Sequence, residues 1–248
     1  MEETRKTFHH QLDDVRQNVI ELAAMVVESI PRATQALLDA DLTAAQAVID
    51  YDDVLDAKSL EIEEECLRLL ALQQPMAIDL RVITTAMHLN WDLERAGDLA
   101  CNICKTIRRM YGTPIEPKLR GLIVQMSEEA FRLTRLAIDA YAEKNVALAA
   151  ALEDLDDRLD ALQRDFVLAL MEHHGRSGDI SLQSAVQLAL VARYYERLGD
   201  HAVNMGERIQ YMVTGWLPEH TGAAPAEIKK KTAEANSIYG AQPPFPDR

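Results

Sequence analysis

Apolar residues return every three or four positions along almost the whole chain, and few stretches alternate in the two-residue rhythm of a half-buried strand. The spacing predicts six long helices. The first covers Glu3–Asp39, with a kink expected near Pro31, which lacks a backbone donor and crowds the preceding turn. The second runs Leu42–Leu72 and stops at Gln73-Gln74-Pro75. The third runs Ala77–Tyr111 and ends on Gly112-Thr113-Pro114, where Gly followed by Pro stops a helix. The fourth starts at Glu116 or Pro117, runs to Glu143 and turns at Lys144-Asn145. The fifth, Val146–His174, is expected to break at Gly175–Gly178, leaving Asp179 to cap a sixth over Ile180–Val213. Gly215 and Pro218 close the folded part. From His220 to Arg248 the chain is rich in Ala, Pro and Lys without apolar period, and disorder is expected there.

An internal repeat organises these helices. ERAGDLACNI, starting at Glu94, returns 102 positions later as ERLGDHAVNM, starting at Glu196. DDVLD at Asp52–Asp56 returns as DDRLD at Asp156–Asp160, an offset of 104, and the two extra residues are accommodated in a turn. The expected fold is therefore all-α: two tandem antiparallel three-helix bundles, residues 1–112 and 113–217, followed by a tail at 218–248.

Composition agrees. The 248 residues are 48% hydrophobic with only 10 Gly and 9 Pro, too few for a chain of tight β turns. Asp and Glu number 40 against 26 Lys and Arg, a net charge of −14, which repels phosphate backbones and argues against nucleic acid as a partner. The longest apolar run, Val146–Leu152, is far too short to span a membrane. The polar opening MEETRKTFHH has no apolar core of a signal peptide. Three cysteines (Cys66, Cys101, Cys104) suit a reducing compartment, so a cytoplasmic protein is expected.

The second helix, written as heptads, places Val48, Leu55, Ile62 and Leu69 at d, and Ala45, Asp52, Ser59 and Cys66 at a. Asp52 thus interrupts an apolar or small seam, with Asp56 one turn on. In the third helix the seam Leu80, Ile83/Thr84, Met87 leads to Glu94, Asp98 and Asn102. Residues four apart advance about 400°, so these three spread over about 80° of arc. Antiparallel packing would bring Asp52/Asp56 beside Glu94/Asp98, and Asp156/Asp160 beside Glu196/Asp200, with Asn102 and Asn204 adjacent. Like charges at this spacing oppose helix formation and burial, and a hard cation relieves both costs. Four carboxylates exceed what one Mg²⁺ takes from protein, so divalent or trivalent ions in a multinuclear arrangement are expected, with Mg, Mn, Fe and Zn as candidates. Arg193, three residues before Glu196, replaces Trp91 of the first repeat; an ion pair there would neutralise part of the second set and make the first the better ion site. Gly97 and Gly199 share a mid-helix place that costs about 1 kcal/mol each relative to Ala, for close helix approach or for room beside the carboxylates.

The doubled ERxGDxxxN motif, VIDYD at Val48–Asp52, the turn QQPMAIDLR at Gln73–Arg81 and the six-helix layout from Phe8 to about Trp216 resemble the PhoU family of phosphate-signalling proteins. That resemblance implies two three-helix bundles related by a pseudo-twofold axis, and multinuclear metal clusters held by E(D)xxxD motifs. Here those motifs fall on Asp52, Asp56, Glu94 and Asp98, and on Asp156, Asp160, Glu196 and Asp200. It implies an adaptor rather than a catalyst. The partners would be the cytoplasmic ATPase of a phosphate ABC transporter and the sensor histidine kinase of the phosphate two-component system. A homodimer is implied too. The second repeat departs from the first in carrying His201 for Leu99 and Arg193 for Trp91.

Other constellations carry less. Cys101-x-x-Cys104 lies mid-helix without a second pair, its repeat equivalents being Val203 and Gly206, and reads as packing rather than a zinc or redox site. His173-His174 have no companion at ligand spacing. A carboxylate-bridged di-metal oxidase is the enzymatic alternative, but its Glu-x-x-His pairs are missing from the seam; an ion-free helical scaffold is the third reading. No phosphate-binding P-loop or nucleophile elbow is present, so an enzyme is not expected.

Overall fold

A computed structural model describes residues 2–177 and 180–216, with side chains over 7–172 and 180–216. Six helices follow in order: α1 Glu2–Asp39, α2 Leu42–Gln73, α3 Ile78–Arg109, α4 Pro117–Glu143, α5 Val146–Ser177 and α6 Leu182–Thr214. No strand occurs among the described residues. The expected tail from His220 lies outside them.

Local chemistry sets most of the boundaries. Asp41 caps α2, its carboxylate accepting from the N–H groups of Thr43 and Ala44 at 2.8 and 3.0 Å. Glu116 caps α4 through Leu119 N–H at 3.2 Å, with Pro117 in the first turn where its missing donor costs nothing. Lys144 turns left-handed at φ 53°, and Asn145 then accepts from Leu148 N–H at 3.1 Å to start α5. Gly215, at φ 76°, closes α6.

Two boundaries differ from expectation. Helix α5 continues through Gly175 to Ser177, because a single glycine costs only about 1 kcal/mol in a long helix and does not end it. Asp179 lies outside the described residues, and the cap of α6 is Ser181, whose hydroxyl accepts from Ser184 N–H at 3.1 Å. Ile180 extends the apolar period because it is buried, but it precedes the cap and is not helical. Helix α1 runs unbroken through Pro31, which sits on its exposed face.

The packing has an inner and an outer layer. Helix α2 touches only α1 and α3, and α5 only α4 and α6, whereas α1 meets α4 and α3 meets α6. Each repeat is thus a three-helix bundle with its middle helix outermost, and α1, α3, α4 and α6 share one continuous apolar core. The α2 heptads fit this layout: every seam residue except Asp52 is buried. Helix α3 differs from its expected narrow seam. As an inner helix facing three neighbours it buries Ile83, Ala86, Leu89, Leu93, Ala96 and Ala100 along a broad face, while Leu80, Thr84 and Met87 lie at the rim.

A buried polar knot pins the repeats together. Thr34 of α1 donates to the Ile30 carbonyl at 2.8 Å, which leaves its lone pairs for Ser127 of α4 and Tyr195 of α6, both at 2.7 Å. Thr34→Val should strand the Tyr195 and Ser127 hydroxyls and cost about 1–3 kcal/mol, read as a lowered urea midpoint; an unchanged midpoint would mean the knot contributes nothing.

Candidate metal-binding grooves

The carboxylates gather where each outer helix lies against an inner one. In the α2/α3 seam, the antiparallel approach sets Asp52 and Leu55 over Gly97. A Cβ at Gly97 would stand 3.4 Å from Asp52 Oδ1 and 3.1 Å from Leu55 Cδ1. In the α5/α6 seam, a Cβ at Gly199 would overlap Asp156 Oδ1 and come within 2.9 Å of Leu159 Cδ2. Both explanations of the paired glycines hold together: the helices approach closely there, and the carboxylate occupies the space.

Burial is partial. Asp52, Glu94, Asp98 and Asn102 are half-buried and Asp56 is exposed; Asp156, Asp160, Glu196 and Asp200 are half-buried and Asn204 is exposed. Each set acts as one electrostatic unit. Burial raises Asp52 above the usual carboxylate range; the Cys101 hydrogen bond opposes this, while Asp56 and Asp98 add to it. Glu94 is raised by burial against the pull of Arg95, with Asp98, Asp56 and Asp52 adding repulsion. Asp156 is pushed up to about 7, first by burial, then by Asp160, Asp200 and Glu196. Glu196 is likewise raised by burial and by Asp200, with Arg193 opposing.

Arginines on the solvent side neutralise part of this charge. Arg95 reaches Glu94 at 3.4 Å and Asp98 at 3.3 Å. In the second repeat Arg164 reaches Asp160 at 3.7 Å, Arg197 reaches Asp200 at 3.0 Å, and Arg193 pairs with Glu196. These cations hold outer oxygens, and the inner ones differ between repeats. Asp156 Oδ1 and Glu196 Oε2 are buried without any hydrogen-bond partner, whereas no oxygen of the first set is left so. The unsatisfied acceptors therefore lie in the second set, although Arg193 does make the ion pair its position suggested. An all-oxygen set with inward-facing orphan acceptors fits a hard cation. Among the described residues, no three His, Cys, Asp or Glu side chains are already gathered at ion-holding distance.

Two contacts escaped sequence reasoning. His201 of α6 faces Asp92 of α3, Nδ1 to Oδ1 2.9 Å, so the residue that breaks the repeat at Leu99 serves the contact between the two bundles. Cys101 lies beside Asp52, its thiol 3.9 Å from the Val48 carbonyl. The first was signalled by the apolar-to-imidazole change between repeats, the second by the thiol-to-Val203 change.

The PhoU domain family matches residues 19–107 and 123–209, one match per repeat. The chain belongs to the PhoU family. It is 36% identical over 215 residues to the phosphate-specific transport system accessory protein PhoU homolog 1 of Mycobacterium tuberculosis, covering 86% of this chain and 96% of that protein. It is 32% identical over 208 residues to PhoU homolog 1 of Thermotoga maritima, covering 84% and 89%. The crystal structure of PhoU from Pseudomonas aeruginosa superimposes with a TM-score of 0.79 at 29% identity, over 84% of this chain and all of the other. The described residues form an all-α fold with two copies of one three-helix unit. No helix among the described residues is long and apolar enough to cross a membrane.

Proposed function

We propose that this chain is a cytoplasmic regulator of phosphate uptake and of the phosphate-starvation response. It would act without catalysis, as an adaptor between the ATPase of a phosphate ABC transporter and a sensor histidine kinase, and as a homodimer. Support comes from PhoU membership along both repeats and from relatives named as accessory proteins of phosphate-specific transport. The observation that carries the chemistry is the pair of inward, partnerless oxygens on Asp156 and Glu196.

Ions would be held by Asp156, Asp160, Glu196 and Asp200 with Asn204, and by Asp52, Asp56, Glu94 and Asp98 with Asn102. Bound there, a cation offsets the mutual repulsion of the carboxylates and ties each outer helix to its inner neighbour. The protein's own contribution is to hold acidic oxygens of two helices in one groove, with arginines already covering their solvent sides.

Two experiments test this reading. Pull-down of the transporter ATPase and the kinase, with phosphate and Mn²⁺ supplied, should recover both; recovery of neither overturns the adaptor role. Glu94→Gln with Asp98→Asn should remove Mn²⁺ uptake at the first groove while helix content, read by circular dichroism, is unchanged. Undiminished uptake would remove the first groove as an ion site.

A further inference from the structure

The turn that joins α2 to α3 is apolar and uncovered. Met76 is 81% exposed, Leu72 71% and Ile78 62%, with Leu80 beside them on the first turn of α3. Gln74 and Ala77, neither of them glycine, hold left-handed backbone at φ 47° and 50°, and Met76 stands out between them. Single exposed apolar residues are ordinary, but four gathered at one tip mark a surface for contact.

The course of the chain indicates what covers it. Helix α6 runs antiparallel to α3 and ends against its first turns: Arg81 Nε donates to the Met212 carbonyl at 3.3 Å, and Arg81 Nη1 stands 2.8 Å from the place a Gly215 Cβ would take. The described chain thus reaches Trp216 beside the turn, with residues 217–248 still to follow. Their sequence holds Ile228 and then Lys229-Lys230-Lys231, the only run of three basic residues in a chain of net charge −14. On α2, Glu63, Glu64 and Leu67 share one side of the helix leading away from the turn. Glu61 and Glu65 are held by Lys58 and Arg68, whereas Glu63 and Glu64 have no ion pair among the described residues.

We propose that the C-terminal segment of this chain docks on the α2–α3 turn, with Ile228 on Leu72, Met76 and Ile78 and the three lysines on Glu63 and Glu64.

The lengths agree. Twelve residues separate Trp216 from Ile228, a reach of about 40 Å when extended. Three extended residues then cover about 10 Å, and Leu72 to Glu64 is about 12 Å along α2. Leu182, exposed at the other end of the molecule, is the length of the 33-residue α6 away, about 50 Å, and beyond the reach of Ile228. Attachment favours this arm over a free partner, because a short linker supplies an effective concentration of about millimolar. The segment has no apolar period of its own, so a ready-made surface is what it needs for order. A protein that takes the turn must first displace it.

Paramagnetic relaxation tests this in the full chain. A nitroxide on Ala226→Cys is selective because Cys66, Cys101 and Cys104 are buried, and the Met76 methyl group reports its approach. Lys229→Glu, Lys230→Glu and Lys231→Glu together should weaken the relaxation enhancement at Met76 about tenfold. Adding Glu63→Lys and Glu64→Lys to that protein should restore most of it, and Ile228→Ser alone should weaken it. An enhancement unmoved by the lysine reversal overturns the proposal, and so does a glutamate reversal that restores nothing. Mixing nitroxide-bearing chain with unlabelled chain carrying the methyl probe identifies the other occupant: an enhancement as large between chains as within one assigns the turn to a second copy and overturns docking by the chain's own segment.

Discussion

Asp156→Asn should stabilise the ion-free protein at pH 8 and have little effect near pH 4. The Asp156 carboxyl is raised from 3.8 to about 7 by burial and by Asp160, Asp200 and Glu196. Below about 4 the group is protonated folded and unfolded, and no penalty arises. Between about 4 and 7 the unfolded chain ionises while the folded one holds its proton, so stability falls as pH rises; above 7 the folded protein bears the full cost of the charge. Removing the charge recovers on the order of 1–2 kcal/mol at pH 8 once solvent screening of a half-buried group is allowed for. That corresponds to a gain of roughly 2–8 °C in Tm for a chain of this size. Saturating Mn²⁺ should reverse the order, because the parent protein then gains binding free energy that the variant has lost. Scanning calorimetry at pH 4, 6 and 8, with and without Mn²⁺, reads all of this. A parent Tm independent of pH between 5 and 8 would contradict the electrostatic account of the groove.

Gly206→Ala should be the most destabilising of three glycine substitutions that look alike in the sequence. A Cβ there would stand 2.5 Å from the Ala149 carbonyl oxygen and 2.9 Å from Leu152 Cδ1, and the oxygen belongs to backbone that moves only with the whole of α5. Pushing α5 from α6 should cost about 2–3 kcal/mol, outweighing the roughly 1 kcal/mol that alanine gains in helix propensity. Gly199→Ala meets the Asp156 carboxylate and the end of Leu159, both of which can swing aside, so a smaller loss is expected together with a displaced carboxylate. Gly97→Ala meets Leu55 Cδ1 at 3.1 Å and should be close to neutral. Urea midpoints in the order Gly97→Ala, Gly199→Ala, Gly206→Ala, from least to most shifted, are expected; a neutral Gly206→Ala would show that the α5/α6 contact is looser than its geometry.

The oxidase alternative gains nothing from the grooves. The His201 imidazole is directed at Asp92 between the bundles and not at the carboxylate set. In the second groove Arg164, Arg193 and Arg197 pair with Asp160, Glu196 and Asp200.

Periodicity determined much by itself. The heptads of α2 named Ala45, Val48, Leu55, Ser59, Ile62, Cys66 and Leu69 as its buried face and left Asp52 as the exception, and that is how the helix packs. A helix with one packed face shows that face in its spacing, and a doubled motif shows that two copies of one unit exist. The paired carboxylates and their glycines were legible for the same reason, since residues four apart share a side whatever the helix meets. What required the tertiary structure was everything set by neighbours distant in sequence. Helix α3 buries a broad face because it is an inner helix touching α1, α2 and α6, and no local pattern distinguishes inner from outer. Thr34 joins Ser127 and Tyr195, and His201 reaches Asp92, only because α1 lies against α4 and α6 lies against α4 and α3. Whether an acidic oxygen finds a partner depends on the residue facing it from another helix: Asp92 of α3 meets His201 of α6, and Asp156 Oδ1 meets no donor. Chain order records the identity of both residues, and packing alone decides that they meet.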